Sequence, residues 1–197
     1  MEKVSVPEGN SGDCKIQRFT VTPEDAARWF RTGVPPGDYT RLLYKGHTLM
    51  SDTPDEMRDH RPFVHKASGD ILINGLGIGM VVLNLLNRLE SNWAEPVTSI
   101  TVNEISPDVI KLVGPTYQDR PGVTINLADA RTWKPAKGQR FDAIWHDIWG
   151  DFNIDLLSDM TAIKRRYARW LKPGGWQGCW KQEWLRDQRD RRKRREW

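Results

Sequence analysis

One segment constrains this chain more than any other: Asp70-Ile-Leu-Ile-Asn-Gly75-Leu-Gly77-Ile-Gly79-Met80. A short apolar, β-branched run leads into three alternate glycines, and Met80–Leu89 then places apolar residues at helical spacing. Strand, glycine turn and helix in that order open an α/β unit. Two familiar uses of such a loop are excluded. The dinucleotide fingerprint needs G-x-G-x-x-G, and Met80 stands where its third glycine belongs. A phosphate-binding loop of the kinase type needs Lys followed by Ser or Thr, and neither is present. What remains lets backbone approach a ligand closely without having to hold a diphosphate.

The text after the loop keeps the same rhythm. Val97–Asn103, Val123–Leu127, Phe141–His146 and Trp176–Trp180 read as strands. Pro107–Val113 and Leu156–Leu171 read as helices, the second stopping at Lys172-Pro173-Gly174-Gly175. Strands alternating with helices imply right-handed crossovers and a mostly parallel, doubly wound Rossmann-like sheet. Its ligand crevice lies at the carboxyl ends of the strands.

The segment before the loop reads differently. The first dozen residues are polar and expected to be loose. Lys15–Thr22 reads as a strand, and Thr22-Pro23-Glu24-Asp25 opens a helix expected to end near Gly33. Thr40–Tyr44 and Thr48–Ser51 form a hairpin around Lys45-Gly46-His47, and Thr53-Pro54-Asp55-Glu56 reads as a capping box. The chain thus divides into a strand-and-helix preface (1–68), a Rossmann-like domain (69–180) and a basic tail (181–197).

Composition narrows the function. Residues 181–197 carry eight basic and four acidic side chains, which leaves the first 180 residues balanced at 22 of each sign. Any pull on nucleic acid is therefore expected from the tail alone. No apolar run is long enough to span a membrane, and the N-terminus has no apolar leader core, so a cytoplasmic protein is expected. Cys14 and Cys179 are expected to be reduced structural thiols. His47, His60, His65 and His146 have no metal-ligand spacing.

Three strand ends carry candidate chemistry. Glu104 closes the strand after the glycine loop, where a carboxylate accepts the hydrogens of two ribose hydroxyls. Asp129, after the third strand, suits the exocyclic amine of adenine, with the Ala130 amide near a ring nitrogen; a plain turn residue is the alternative. Asp147, after the fourth strand, can orient an attacking amine or accept its proton. His146 is a second candidate base, but strand alternation turns it away from the face of Asp147. Trp145 and Trp149 flank this strand end, and an indole face attracts a cationic sulfonium or ammonium; Trp149 is the better placed.

Taken in order, the glycine loop, Glu104, Asp129 and the Leu171-Lys-Pro-Gly-Gly175 turn resemble the class I S-adenosylmethionine-dependent methyltransferases, over roughly residues 69–180. Val102-Asn-Glu104-Ile-Ser-Pro-Asp-Val-Ile110, the absence of an acid before Gly75 and the preceding hairpin with an Asp-Glu pair look most like the spermidine synthase-like branch. The chain departs from that branch at Ile78 and Met80, in the spacing of Asp147 and Asp151, and in the strands expected after the fifth. The resemblance implies S-adenosyl-L-methionine, or its decarboxylated form, held by Asn74, Gly75, Gly77, Gly79, Glu104, Ile105, Asp129 and Ala130. Asp147 is then catalytic, with Trp149 and Asp151 on the acceptor side. Methyl transfer to a small-molecule acceptor is the first expectation. The others are aminopropyl transfer, S-adenosylmethionine binding without turnover, and RNA binding through the tail. A shortened sheet leaves an edge exposed, so a homodimer is expected.

Overall fold

The structure is a computed structural model that describes residues 1–28, 34–89, 96–150 and 153–195. It contains two sheets. The first is antiparallel, in the order β1 (Gly9–Ser11), β2 (Cys14–Val21), β3 (Gly37–Tyr44), β4 (His47–Ser51). The second is wholly parallel and built from β5 (Gly69–Asn74), β6 (Val97–Glu104), β7 (Val123–Leu127), β8 (Phe141–His146) and β9 (Leu171–Cys179). Its spatial order is β7-β6-β5-β8-β9. The order reverses between β6 and β8 across β5, which makes the carboxyl end of β5 the switch point where α/β sheets bind ligands.

Helices cover both faces. α2 (Pro54–Lys66), α3 (Met80–Leu89) and α4 (Pro107–Val113) lie on one side, and α5 (Leu156–Tyr167) and α6 (Gln182–Arg195) on the other. Alternation along β5 explains the division. Ile71 and Ile73 pack with Phe63, Val82 and Leu86, whereas Leu72 packs with Met160, Ile163 and Tyr167. A strand buried on both faces must be apolar throughout, as Ile71–Ile73 is. The first of these clusters also takes in Val6, Ile16 and Leu42 of the N-terminal layer. Cys14 and Cys179 are both buried and free. Among the described residues no helix is long and apolar enough to cross a membrane.

Three local expectations are corrected. The first dozen residues are fixed rather than loose: Val6 is fully buried, the Val4 amide donates to Asp52 Oδ2 at 3.2 Å, and β1 follows. Two valines spaced to share a face are enough to anchor so polar a segment. The capping box does not close. Thr53 offers no side-chain cap to α2, and Glu56 Oε2 instead accepts the Ser51 amide at 2.5 Å. α5 ends at Tyr167, a 3-10 turn takes Ala168–Trp170, and the last strand begins at Leu171 rather than Trp176. Leu171 pairs with Phe141 and Trp176 with Ala143, so Lys172–Gly175 bulge out of an edge strand, where Pro173 has no ladder bond to break. Lys172 Nζ in that bulge lies 2.9 Å from Asp70 and 2.8 Å from Asp142. Within the basic tail, residues 182–195 form a helix whose Leu185 is buried against α5. The end of the helix α1 (Pro23–Arg28) near Gly33 lies outside the described residues.

Candidate active site at the carboxyl ends of the strands

A cavity of about 510 Å³ opens at the switch point. The glycine loop and the ends of β6, β7 and β8 form its floor, and Tyr44, Leu49 and Met50 of the hairpin roof it. Its size suits a nucleoside with a short tail.

Backbone geometry holds the floor together. Gly75 adopts φ 100°, and a Cβ there would lie 1.9 Å from the Asp147 carbonyl oxygen. Only glycine lets the loop pass so close to the end of β8. The Gly75 amide donates to Asn103 O and the Asp147 amide to Asn74 O, each at 2.8 Å. Beneath the floor, Asn126 donates to Asn103 at 3.1 Å and Asn103 to Asn74 at 2.9 Å. Asn74 Nδ2 meets His146 Nδ1 at 2.9 Å. Because the Asn74 amide oxygen is taken by Asn103, its nitrogen donates, which leaves His146 Nδ1 as acceptor and the ring proton on Nε2. Burial pushes the His146 pKa down to about 3. Asn74 and His146 therefore brace the site from below, and alternation does turn His146 away from the cavity.

Glu104 is a preorganised acceptor. Its Oε2 receives the Leu76 amide and its Oε1 the Ser106 amide, both at 2.8 Å. One lone pair on each oxygen stays directed elsewhere, so two ribose hydroxyls fit its free capacity. Beside it Ile105 is 66% exposed, an apolar plate at the rim. Asp129 and Ala130 line the next stretch. Asp129 Oδ1 already accepts the Arg131 amide at 2.8 Å, so the turn role holds alongside any ligand role. Tyr167, which sequence reading passed over, donates to Ala130 O at 2.7 Å and fixes that turn from α5. These acceptors, the bare loop and the apolar plate fit the nucleoside of an S-adenosylmethionine-type donor. Gly77 lines the cavity under Met50, whereas Gly79 packs behind it against Tyr117.

The end of β8 is electrostatically different. Burial, then the carboxylates of Glu56, Glu104 and Asp59, push the Asp147 pKa up to about 8. Glu56, on α2, is raised to about 7, chiefly by burial and then by Asp59. His60 Nε2 lies 3.7 Å from Asp147 Oδ2, and burial with the Lys181 charge lowers His60 to about 3. Near neutral pH His60 and most of Asp147 carry no charge, so this contact is not an ion pair. Trp180 stacks on the His60 ring at 6.5 Å. Glu56 and His60 were both missed as site residues. The Asp-Glu pair was visible in the sequence, but reading it as a cap hid its direction.

Trp149 lines the cavity, and its Nε1 donates to Asp159 at 2.8 Å; Arg131 reaches the same oxygen at 2.6 Å. Trp145 instead packs under α2, stacked on Phe63 at 5.0 Å. Asp151 lies outside the described residues.

Strand order, glycine loop and strand-end carboxylates together define a Rossmann-like α/β chain with a ligand cavity at the switch point of its sheet. No family model matches the chain. Among curated proteins it is 33% identical over 137 residues to a polyamine aminopropyltransferase of Corynebacterium efficiens, covering 62% of this chain and 25% of that protein. It is 25% identical over 114 residues to a "Probable polyamine aminopropyl transferase" of Bifidobacterium longum, covering 58% of this chain and 24% of that protein. The chain thus spans about a quarter of the length of these relatives. Among solved structures it is similar to the N-methyltransferase NodS of Bradyrhizobium japonicum with S-adenosyl-l-homocysteine, at 16% identity and TM-score 0.48, covering 65% of this chain and 62% of that one. It is also similar to the CcbJ methyltransferase of Streptomyces caelestis, at 20% identity and TM-score 0.47, covering 64% and 49%.

Proposed function

We propose that this chain is a transferase that takes a group from an S-adenosylmethionine-type sulfonium donor and delivers it to a small amine. The observation that carries this is Glu104: a carboxylate fixed by two backbone amides, facing the same cavity as the glycine loop and Asp147. When bound, the donor supplies an electrophilic carbon on a positively charged sulfur. Glu104 holds the ribose, Ile105 and Ala130 bracket the base, and Asp147 orients the acceptor nitrogen. The amine lone pair forms the new N–C bond as the C–S bond breaks, and the amine proton passes to ionised Asp147. Alignment supplies most of the rate, with modest help from the base. A cationic ligand also lowers the Asp147 pKa and ionises it on arrival.

Methyl transfer from S-adenosyl-L-methionine is the first reading. Aminopropyl transfer from the decarboxylated donor is the second, and the charge on the cavity wall favours it. Asp13, Glu104, Asp108 and Asp129 line the cavity against Arg131, which is itself paired with Asp159, and Glu56 and Asp147 add their charge as a cation ionises them. Such a wall attracts diamines and repels the donor's carboxylate. Both curated relatives are aminopropyltransferases by name. Calorimetric titration with S-adenosyl-L-methionine, its decarboxylated form and S-adenosylhomocysteine tests the proposal. Binding of the first and third, lost in Glu104→Ala, supports methyl transfer. Preference for the decarboxylated form, followed by aminopropylation of a diamine, supports the second reading. No binding of any of the three rejects both.

A further inference from the structure

A second groove of about 390 Å³ lies between α2, β9 and α6, and its charge is opposite to that of the donor cavity. Five cationic side chains line it: Arg58, Lys66, Lys164, Lys181 and Arg186. Two acids, Asp59 and Glu183, face them. Arg58 is paired with Asp55, and Lys181 with Asp59. Among the described residues neither Lys66 nor Arg186 has an acidic partner, and Arg186 is exposed.

The groove has an aromatic wall held rigid from behind. Trp176 stacks on Trp145, with centroids 6.1 Å apart and planes 13° apart, and on Phe63 at 5.6 Å and 27°. Gly178 permits this stack, since a Cβ there would lie 2.6 Å from the Trp176 ring and 3.0 Å from that of Trp145. The Lys66 ammonium sits 5.5 Å from the centre of the Trp176 ring. Trp184, at the start of α6, is 46% exposed. A fixed indole beside exposed cations, with a second exposed indole nearby, has the makings of a single-strand site: bases stack on the rings and phosphates take the cations.

We propose that this groove binds a single strand of nucleic acid, with a base on Trp176 and phosphates on Lys66 and Arg186. Charge complementarity favours a strand over a free nucleotide. α6 carries the positive field on from the groove through Arg192, Lys193 and Arg194, while Arg189 and Arg191 pair with Asp190 and Asp187. The charge that sequence reading assigned to a tail is thus the outer half of a docked helix, anchored by Leu185.

The test is fluorescence anisotropy of a labelled 12-nucleotide oligouridylate against the full chain, repeated across potassium chloride concentrations. Each phosphate neutralised on a single strand contributes about −0.7 to the slope of log affinity against log salt. Lys66→Gln combined with Arg186→Gln is expected to weaken binding about tenfold at low salt and flatten the slope by about 1.4, two phosphates' worth. Both side chains are outside the core, so circular dichroism of the variant should match the parent. With 5-iodouridine in the strand, photocrosslinking should place the adduct on Trp176 or Trp184. The proposal is overturned by no binding of the oligouridylate at low salt, or by an unchanged slope in the double variant. It is also overturned by loss of binding only in Arg192→Gln with Arg194→Gln, which would place the strand on the outer helix. Equal affinity for uridine monophosphate and the 12-mer would assign the groove to a mononucleotide and reject the strand.

Discussion

The carboxyl edge of the parallel sheet has two acidic ends of opposite construction. At the end of β6, each oxygen of Glu104 receives a backbone amide. At the end of β8, Asp147 faces Glu56, Asp59 and Glu104 and a neutral His60, and burial drives it toward its protonated form. The first end is built to hold a ligand in one orientation. The second keeps its proton up to about pH 8 and releases it when a cation arrives. The lesson is that two carboxylates lining one cavity can take separate roles from what surrounds them.

If that division is real, substitutions at the two ends fail in different ways. Glu104→Ala should have the largest effect. It removes two charge-assisted bonds to the ribose and strands the Leu76 and Ser106 amides, so donor affinity should fall at least 100-fold by calorimetry, on the order of 3 kcal/mol. Asp147→Asn should leave donor affinity within about threefold and lower turnover about 100-fold, the usual worth of a positioned base. The parent's kcat/KM should rise with pH up to about 8, where Asp147 ionises in the free enzyme. A loss of donor affinity in Asp147→Asn as large as in Glu104→Ala would break the comparison.

A smaller effect concerns stability. Asp147 and Glu56 have pKa values raised in the fold to about 8 and about 7, so the stability they contribute is present at low pH and lost as pH rises from their unfolded values to those figures. His60 and His146 are lowered to about 3, so theirs is present above the unfolded value of 6.5 and lost as pH falls below it. The opposing slopes leave a plateau between pH 4.5 and 6.5, the unfolded values of Glu56 and the histidines, and a decline above it. From pH 6.5 to 8 the parent should lose about 2 kcal/mol in denaturant titrations, and Asp147→Asn less than half of that. An equal loss in both would show that Asp147 is not the strained group.

The difference between the ends also explains what could be read from the sequence. The Glu104 end is local. Strand, acid, Ser106 cap and Pro107 lie within four residues, and the loop it receives is announced by three glycines. The parallel, doubly wound sheet followed from the same rhythm, but its strand order did not. The Asp147 end is assembled from afar. Glu56 and His60 come from a helix some ninety residues earlier, and nothing near Asp147 indicates that α2 turns its acids toward it. The cap motif at Thr53 pointed the wrong way, because Glu56 satisfies Ser51 rather than its own helix end. Tyr167 and the Asn103–Asn126 contact were equally hidden, since each depends on register between elements that are not neighbours in sequence.

The smallest expected effect is at Asp129. One of its oxygens is committed to the Arg131 amide, so only the other is available to an adenine amine, and that bond joins a carboxylate to a neutral donor. The Tyr167 bond to Ala130 O and the Arg131 pair with Asp159 hold the turn from two further sides, so the backbone should keep its shape without the Asp129 side chain. Asp129→Ala should therefore weaken donor binding about fivefold to tenfold, roughly 1 kcal/mol, and leave turnover at saturating donor unchanged. Tyr167→Phe sharpens the point, because it frees the Ala130 carbonyl without touching the cavity. If that change costs more donor affinity than Asp129→Ala, the base is recognised through the shape of the turn rather than through its carboxylate. If it costs less, Asp129 itself reads the adenine, and the nucleoside end of the sheet owes its selectivity to a side chain that also looks like an ordinary turn residue.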